Sequence, residues 1–133
     1  MNRIAIKIDN NNQWFATVLV KKGNHTAPVK FKIDTGCNAV ILSHSTLESL
    51  GYSAKSEDLE KLPSVTGKQV SGDKQIFKDL GEIALYRNTT THICNGNAIC
   101  HATHETNDLM GTEVFKQFTN VAFNLKEKYM ELQ

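Results

Sequence analysis

The sequence predicts a mainly β protein, most simply a small closed β barrel with one or two short helices. Three observations point there. Apolar and polar residues alternate with period two near the start (Ile4, Ile6, Ile8) and near the end (Val121, Phe123, Leu125), as on strands that bury one face. Helix signals are confined to two short stretches. The chain has 133 residues, 40% apolar and 22% charged, enough for one domain with a real core but hardly for two, so a single domain over 1–133 is expected.

Taken in order, Ile4–Ile8 reads as a strand, "NNN" at 10–12 as a turn, and Trp14–Val20 as a second strand. "KKGNHTAP" (21–28) reads as a loop. Val29–Asp34 is a third strand with Val29, Phe31 and Ile33 on one face, and the wholly apolar Ala39–Leu42 fits a short buried strand. Ser45 followed by Glu48 fits a capping box, with Gly51 beyond the last turn. That predicts a short helix over 46–50 with Leu47 and Leu50 inward. The segment 62–77, "LPSVTGKQVSGDKQIF", suggests a glycine-containing hairpin with a mobile tip. Near the end, Thr112 is the expected N-cap of a second helix, Glu113 lies in its first turn, and Val114, Phe115 and Phe118 form its apolar face. Then Val121–Leu125 and Tyr129–Leu132 read as a hairpin turning at "KEK".

The net charge of +1 and the scattered lysines give no electrostatic case for nucleic acid or an anionic membrane. No apolar run approaches the roughly 20 residues that span a bilayer. The N-terminal alternation lacks a signal peptide's apolar region, and three cysteines (Cys37, Cys94, Cys100) do not make a disulfide framework; a reducing, cytoplasmic setting is expected.

The chemistry concentrates in "KFKIDTGCNAVIL" (30–42), where Asp34 lies between apolar segments. An unpaired buried carboxylate is costly. Gly36 lets another backbone or a substrate come close, and the Thr35 hydroxyl can brace a tight junction. Two carboxylates about 3 Å apart cannot both ionise and so hold one proton between them. The ionised member can then activate a water while the protonated one polarises a carbonyl. None of Asp9, Asp58, Asp73, Asp79 or Asp108 is followed by Thr/Ser–Gly. The second carboxylate is therefore expected from the partner in a two-fold homodimer. No cofactor and no metal is called for. The plainer alternative is an Asp that caps its own turn.

"FKIDTGCNAVIL" resembles the signature of retropepsin-like aspartic proteases, and "DLMG" followed by a short helix and a final strand resembles their later apolar-apolar-Gly element. The resemblance implies the acid-protease barrel and peptide-bond hydrolysis. It makes Asp34 the catalytic carboxylate, Thr35 the source of interchain bracing bonds and Gly36 a backbone contact to substrate. Val65–Asp73, with Val65, Gly67, Val70 and Gly72, would be a flap over an extended peptide or protein substrate, and Asn38 would lie beside the same site. Terminal strands often build the dimer interface in this family, which makes "YMELQ" a candidate, with Ile4–Ile8 second.

Two departures stand out. The family's Arg after the Gly, and the acidic residue it pairs with, are here Thr112 and Asn38, both uncharged, a pattern nearer cellular and bacterial members than viral ones. Cys37 follows the Gly, and a thiol is a weak donor; a pH optimum nearer neutral is expected. A non-catalytic dimeric peptide-binding or scaffold domain is the alternative function.

A second constellation, "HICNGNAICHATH" (92–104), holds His92, Cys94, Cys100, His101 and His104. Its spacing fits no standard structural-zinc pattern. The plainer reading is a β-hairpin turning at "NGN", with a buried cysteine or two and exposed histidines.

Overall fold

Alternation near the N-terminus becomes β1 (Asn2–Ile8), with Ile4 and Ile6 buried and Arg3, Ala5 and Lys7 facing out. The structure, a computed structural model, describes residues 2–68 and 74–133; at 56, 67, 68 and 74 it describes the backbone alone. β2 (Trp14–Lys22) and β3 (His25–Ile33) follow. The expected loop over 21–28 is instead the end of one strand, a two-residue turn and the start of the next, with Lys22 paired to His25. Gly23, at φ 59°, takes the position that glycine fills in a tight hairpin. Pro28 sits inside β3, where it pairs with Leu19. This is tolerated because β3 pairs on its other side only at Lys32 and Ile33, so no ladder bond is lost there.

Next come β4 (Val40–Ile41), α1 (His44–Ser49), α2 (Ser56–Leu59), which the sequence reading missed, β5 (Ser64–Lys68) and β6 (Lys74–Tyr86). β7 (His92–His101), β8 (Leu109–Met110), α3 (Thr112–Phe115), β9 (Val121–Asn124) and β10 (Tyr129–Leu132) complete the order. Among the described residues the ten strands form one sheet, β5-β6-β7-β4-β8-β3-β2-β1-β10-β9. A second pairing of β6 with β2 closes β2, β3, β8, β4, β7 and β6 into a six-stranded barrel. Phe31, Val18, Val20, Val40, Leu42, Leu85 and Met110 fill its interior. No described helix is long and apolar enough to cross a membrane.

β7 runs straight through "NGN". Cys94, Gly96, Ala98 and Cys100 point inward while Asn95 and Asn97 point out, so the tripeptide is one more period of the strand. It pairs with β6 from Phe77–His101 to Tyr86–His92. Burial pushes the Cys94 thiol up to about 11 and raises that of Cys100, as expected of inert core thiols. His92 and His104 are exposed, but His101 is buried. Among the described residues no group of three or more His, Cys, Asp or Glu is placed to hold a metal ion.

α1 starts two residues earlier than expected. Ser43, not Ser45, is the N-cap, its hydroxyl accepting from the Thr46 amide at 3.1 Å. Carboxylates some sixty residues away satisfy its neighbours. Asp108 accepts from the Ser43 amide (2.7 Å) and the Thr46 hydroxyl (2.9 Å), and Glu105 accepts from the His44 amide (2.6 Å) and the Ser45 hydroxyl (2.7 Å). The expected C-terminal features hold: Leu47 and Leu50 are buried and Gly51 follows at φ 83°. Burial works to raise the Glu105 carboxyl, but the Ser45 hydroxyl and the His44, Ser45 and Thr106 amides outweigh it and hold the group below its ordinary value.

Two outcomes are expected. Ser43→Ala should cost about 1 kcal/mol of stability in urea unfolding, as cap removal does, and Ser45→Ala less; equal losses would restore the local capping box. Because Glu105 has a depressed folded-state value, its contribution is complete above the unfolded value and fades as pH falls through the folded one. Stability measured against pH below the ordinary carboxylate range should therefore fall less steeply in Glu105→Gln than in wild type.

Candidate active site

Asp34 follows the last residue of β3 directly. Its amide donates to the Met110 carbonyl at 3.0 Å, extending the parallel pairing of β3 with β8 by one residue. The carboxylate is half-buried, and its Oδ1 accepts from the Gly36 amide at 3.0 Å. The self-capping turn weighed as the plainer alternative is therefore present, and it engages one oxygen. Among the described residues no donor reaches Oδ2. A Cβ on Gly36 would lie 3.3 Å from Oδ1, so the glycine keeps this turn uncrowded.

Thr35 is exposed, and its hydroxyl has no hydrogen-bond partner among the described residues. It lines a recess of about 270 Å³ with Ile33, Trp14 and Phe123, whose rings lie 5.1 Å apart. The Cys37 thiol donates to the Ala39 carbonyl at 3.6 Å rather than to the carboxylate. Burial pushes this thiol up, the Ala39 bond draws it down, and the Asp34 charge raises it again, with a net rise.

The strands force the loop over 34–39 into contact with α3. β8 lies between β3 and β4, so the chain leaving β3 must cross the end of β8 to reach β4. At the crossing, the Gly111 amide donates to Ala39 O (3.1 Å), the Thr112 amide to Cys37 O (2.9 Å) and the Glu113 amide to Asn38 O (2.8 Å). Gly111, not Thr112, is the N-cap of α3 and offers no side-chain cap. The loop carbonyls take that role. A Cβ at Gly111 would collide with the carbonyl oxygens of Cys37 and Ala39.

The two positions that lack the family's ion pair do meet. The Thr112 hydroxyl donates to Asn38 Oδ1 at 3.4 Å, so a neutral hydrogen bond stands in the same place. Val114 is fully buried, and Gln117 Nε2 donates to the Asn95 carbonyl at 2.7 Å, fastening α3 across β7.

Val65 and Gly67 lie on β5, opposite Phe77 and Gln75 of β6, so both arms of the expected hairpin are present. Val65 is exposed, as is Ile76. Val70 and Gly72 lie outside the described residues. The expected site residues thus fall into two groups, Asp34, Thr35, Gly36 and Asn38 on one loop and Val65 and Gly67 on the hairpin. Sequence reading missed Asp108 and Glu105 as anchors of α1. An Asp directly before "LMG" was the available signal for the first, and none pointed to the second.

No protein-family model and no curated protein sequence matches the chain. Its fold is that of the retropepsin-like aspartic proteases. A solved structure of a retropepsin-like aspartic protease from Rickettsia conorii matches it with a TM-score of 0.68, over 98% of this chain and 99% of that one, at 16% sequence identity.

Gly111→Ala should lower stability by about 1–3 kcal/mol, the usual cost of overpacking, because backbone rather than a flexible side chain stands in the way. Gly96→Ala is the control, since its Cβ would meet Glu113 Cγ at 3.6 Å and Gln117 Nε2 at 4.0 Å, both ordinary contacts with side chains. Thermal unfolding that shows equal losses for the two would remove the case for a tight crossing at Gly111.

Proposed function

We propose that the chain, as a single domain over 1–133, is an aspartic-type endopeptidase active as a homodimer. Asp34 and the partner's Asp34 share one proton. The ionised carboxylate takes a proton from water as that water attacks the peptide carbonyl, and the protonated one donates to the carbonyl oxygen. Collapse of the tetrahedral species breaks the C–N bond: one of its hydroxyls gives a proton to the ionised carboxylate, the amine leaves with the proton of the other carboxyl group, and the dyad again holds one proton.

One observation carries this reading. An Asp-Thr-Gly turn sits at the end of a barrel strand, on a loop whose residues 37–39 are fastened by three main-chain bonds to the start of a helix, with one carboxylate oxygen held by Gly36 and the other open among the described residues. Thr35 beside it has a hydroxyl with no partner among the described residues, which suits a bracing bond to the second copy. The substrate would lie extended between this loop and the β5–β6 hairpin, recognised through its main chain.

Peptide cleavage by the full chain and by Asp34→Asn tests the mechanism. The variant should be slower by about a hundredfold or more, a statine-type mimic should inhibit the wild type, and specific activity should fall on dilution as dimers part. Cleavage surviving in Asp34→Asn would sink the mechanism. A chain that dimerises and binds peptide without cutting it would be the scaffold alternative.

A further inference from the structure

The strand expected to join two copies is already enclosed. β10 pairs residue for residue over Tyr129–Leu132 with β1 on one side and β9 on the other. Ile4–Ile8, the other candidate, is also paired, Ile4 and Ala5 with β10 and Ile6–Ile8 with β2. The sheet instead ends at β9, and among the described residues no strand pairs with its outer edge. The register fixes what that edge presents. The Asn120 amide donates to the Gln133 carbonyl at 3.2 Å, and the Gln133 amide to the Asn120 carbonyl at 3.0 Å. Antiparallel pairing alternates such residue pairs, so Ala122 and Asn124 also turn their main chain toward β10. The N–H and C=O groups of Val121 and Phe123 then point to the open edge. The strand, "VAFN", carries neither charge nor proline, two usual protections of such an edge. Its apolar side chains are incompletely covered: Val121 and Phe123 are half-buried, and Leu125 just beyond is 47% exposed.

We propose that two copies of this chain pair through β9, each outer edge lying antiparallel against the partner's β9 about a two-fold axis at Ala122. The proposal rests on the reading of Asp34 as half of a site that is incomplete without the partner's Asp34. A two-fold axis normal to the sheet brings identical edge strands together antiparallel. Val121 exchanges both main-chain bonds with the partner's Phe123, and Phe123 both with the partner's Val121, four bonds in all. The two Ala122 residues face each other as the non-hydrogen-bonded pair, Cα atoms about 4.5 Å apart. An axis at Val121 or at Phe123 matches only two of the four outward residues within the strands.

This edge also borders the Asp34 loop. Phe123 walls the recess of about 270 Å³ that Ile33 and Thr35 line, and its ring packs on Trp14 at 5.1 Å and on Phe115 at 6.5 Å. Phe115 belongs to α3, whose first amides hold the loop over 37–39. A copy seated on β9 therefore stands on the side of the loop where Thr35 is exposed. The other end of the sheet is β5, an arm of the hairpin that must stay free to close over substrate.

Oxidation of the full chain carrying Ala122→Cys tests the register. The facing positions fall within the Cα separation of about 4.4–6.8 Å that a disulfide spans. A covalent dimer should form, with peptide mapping placing the link between the two introduced thiols, and wild type under the same oxidant is the control. Absence of that link would overturn the proposal. Because the Val121 amide points to the open edge, Val121→Pro should unfold as cooperatively as wild type. Its dimer dissociation constant, from analytical ultracentrifugation, should rise about 25-fold, one bond lost from each copy at about fivefold apiece. Val121→Ala, which keeps the amide, should stay nearer wild type. An unchanged constant in Val121→Pro would also overturn the proposal. A linked dimer that cuts no peptide would refute the peptidase reading alone, and an active dimer joined elsewhere would refute the β9 pairing alone.

Discussion

The rest of the structure depends on one close approach, the backbone at Gly111 against the carbonyls of Cys37 and Ala39. It follows from strand order. With β8 threaded between β3 and β4, the loop over 34–39 has to pass over the end of β8, and α3 begins at the same point. The first amides of a helix have no partner inside the helix. The carbonyls of a loop that must cross have none inside a strand. Each set satisfies the other, so the position of Asp34 and the start of α3 are one constraint. Anything that shifts α3, through Val114 in the core or Gln117 on β7, shifts the Asp34 loop with it.

The bracing is therefore mainly main-chain. Asn38 and Thr112 add a neutral side-chain bond at 3.4 Å, longer than any of the three backbone bonds around it. A buried ion pair gains specificity at the cost of desolvating both charges, and losing one partner alone is severe. Replacing both members by uncharged residues avoids that penalty and leaves the crossing to the backbone. A constraint carried by peptide groups and one glycine asks little of side-chain identity. This accounts for a retropepsin-like fold shared over nearly the whole chain at 16% identity.

What was legible in the sequence is what local pattern controls. Period-two alternation placed β1, β3, β9 and β10, and the Asp-Thr-Gly turn and "LMG" marked the two halves of the crossing. Legibility stopped where a distant partner decides. Ser45 and Glu48 satisfied the capping-box pattern, yet Glu105 and Asp108 engage that end of α1 and shift the cap to Ser43. "NGN" carried a turn signal, but β6 pairs along its whole length and Gly96 lies beneath α3, with a Cβ position 3.6 Å from Glu113. His101 sat in a run that read as surface histidines. Its burial comes from Phe77 and His104, and its hydrogen bond from Gln75, which no spacing in "HICNGNAICHATH" could foretell.

Two features that share no residue bear on the conditions under which such a site would work. At the Asp34 loop, Cys37 spends its weak donor on the Ala39 carbonyl, so within the chain the carboxylate draws its hydrogen bond from Gly36 alone among the described residues. Beyond β7, His101 Nδ1 accepts from the Thr103 and His104 amides, and acid would cost the turn those two bonds while Nε2 kept its bond to Gln75. A hydroxyl in place of the thiol would offer a stronger donor beside the carboxylate, and a glutamate in place of Gln75 would favour the charged ring. The chain has neither. Acid would loosen the turn that follows β7, and a thiol that gives the carboxylate no bond does nothing to adapt the site to acid. Both features favour a working range near neutrality over a strongly acidic one.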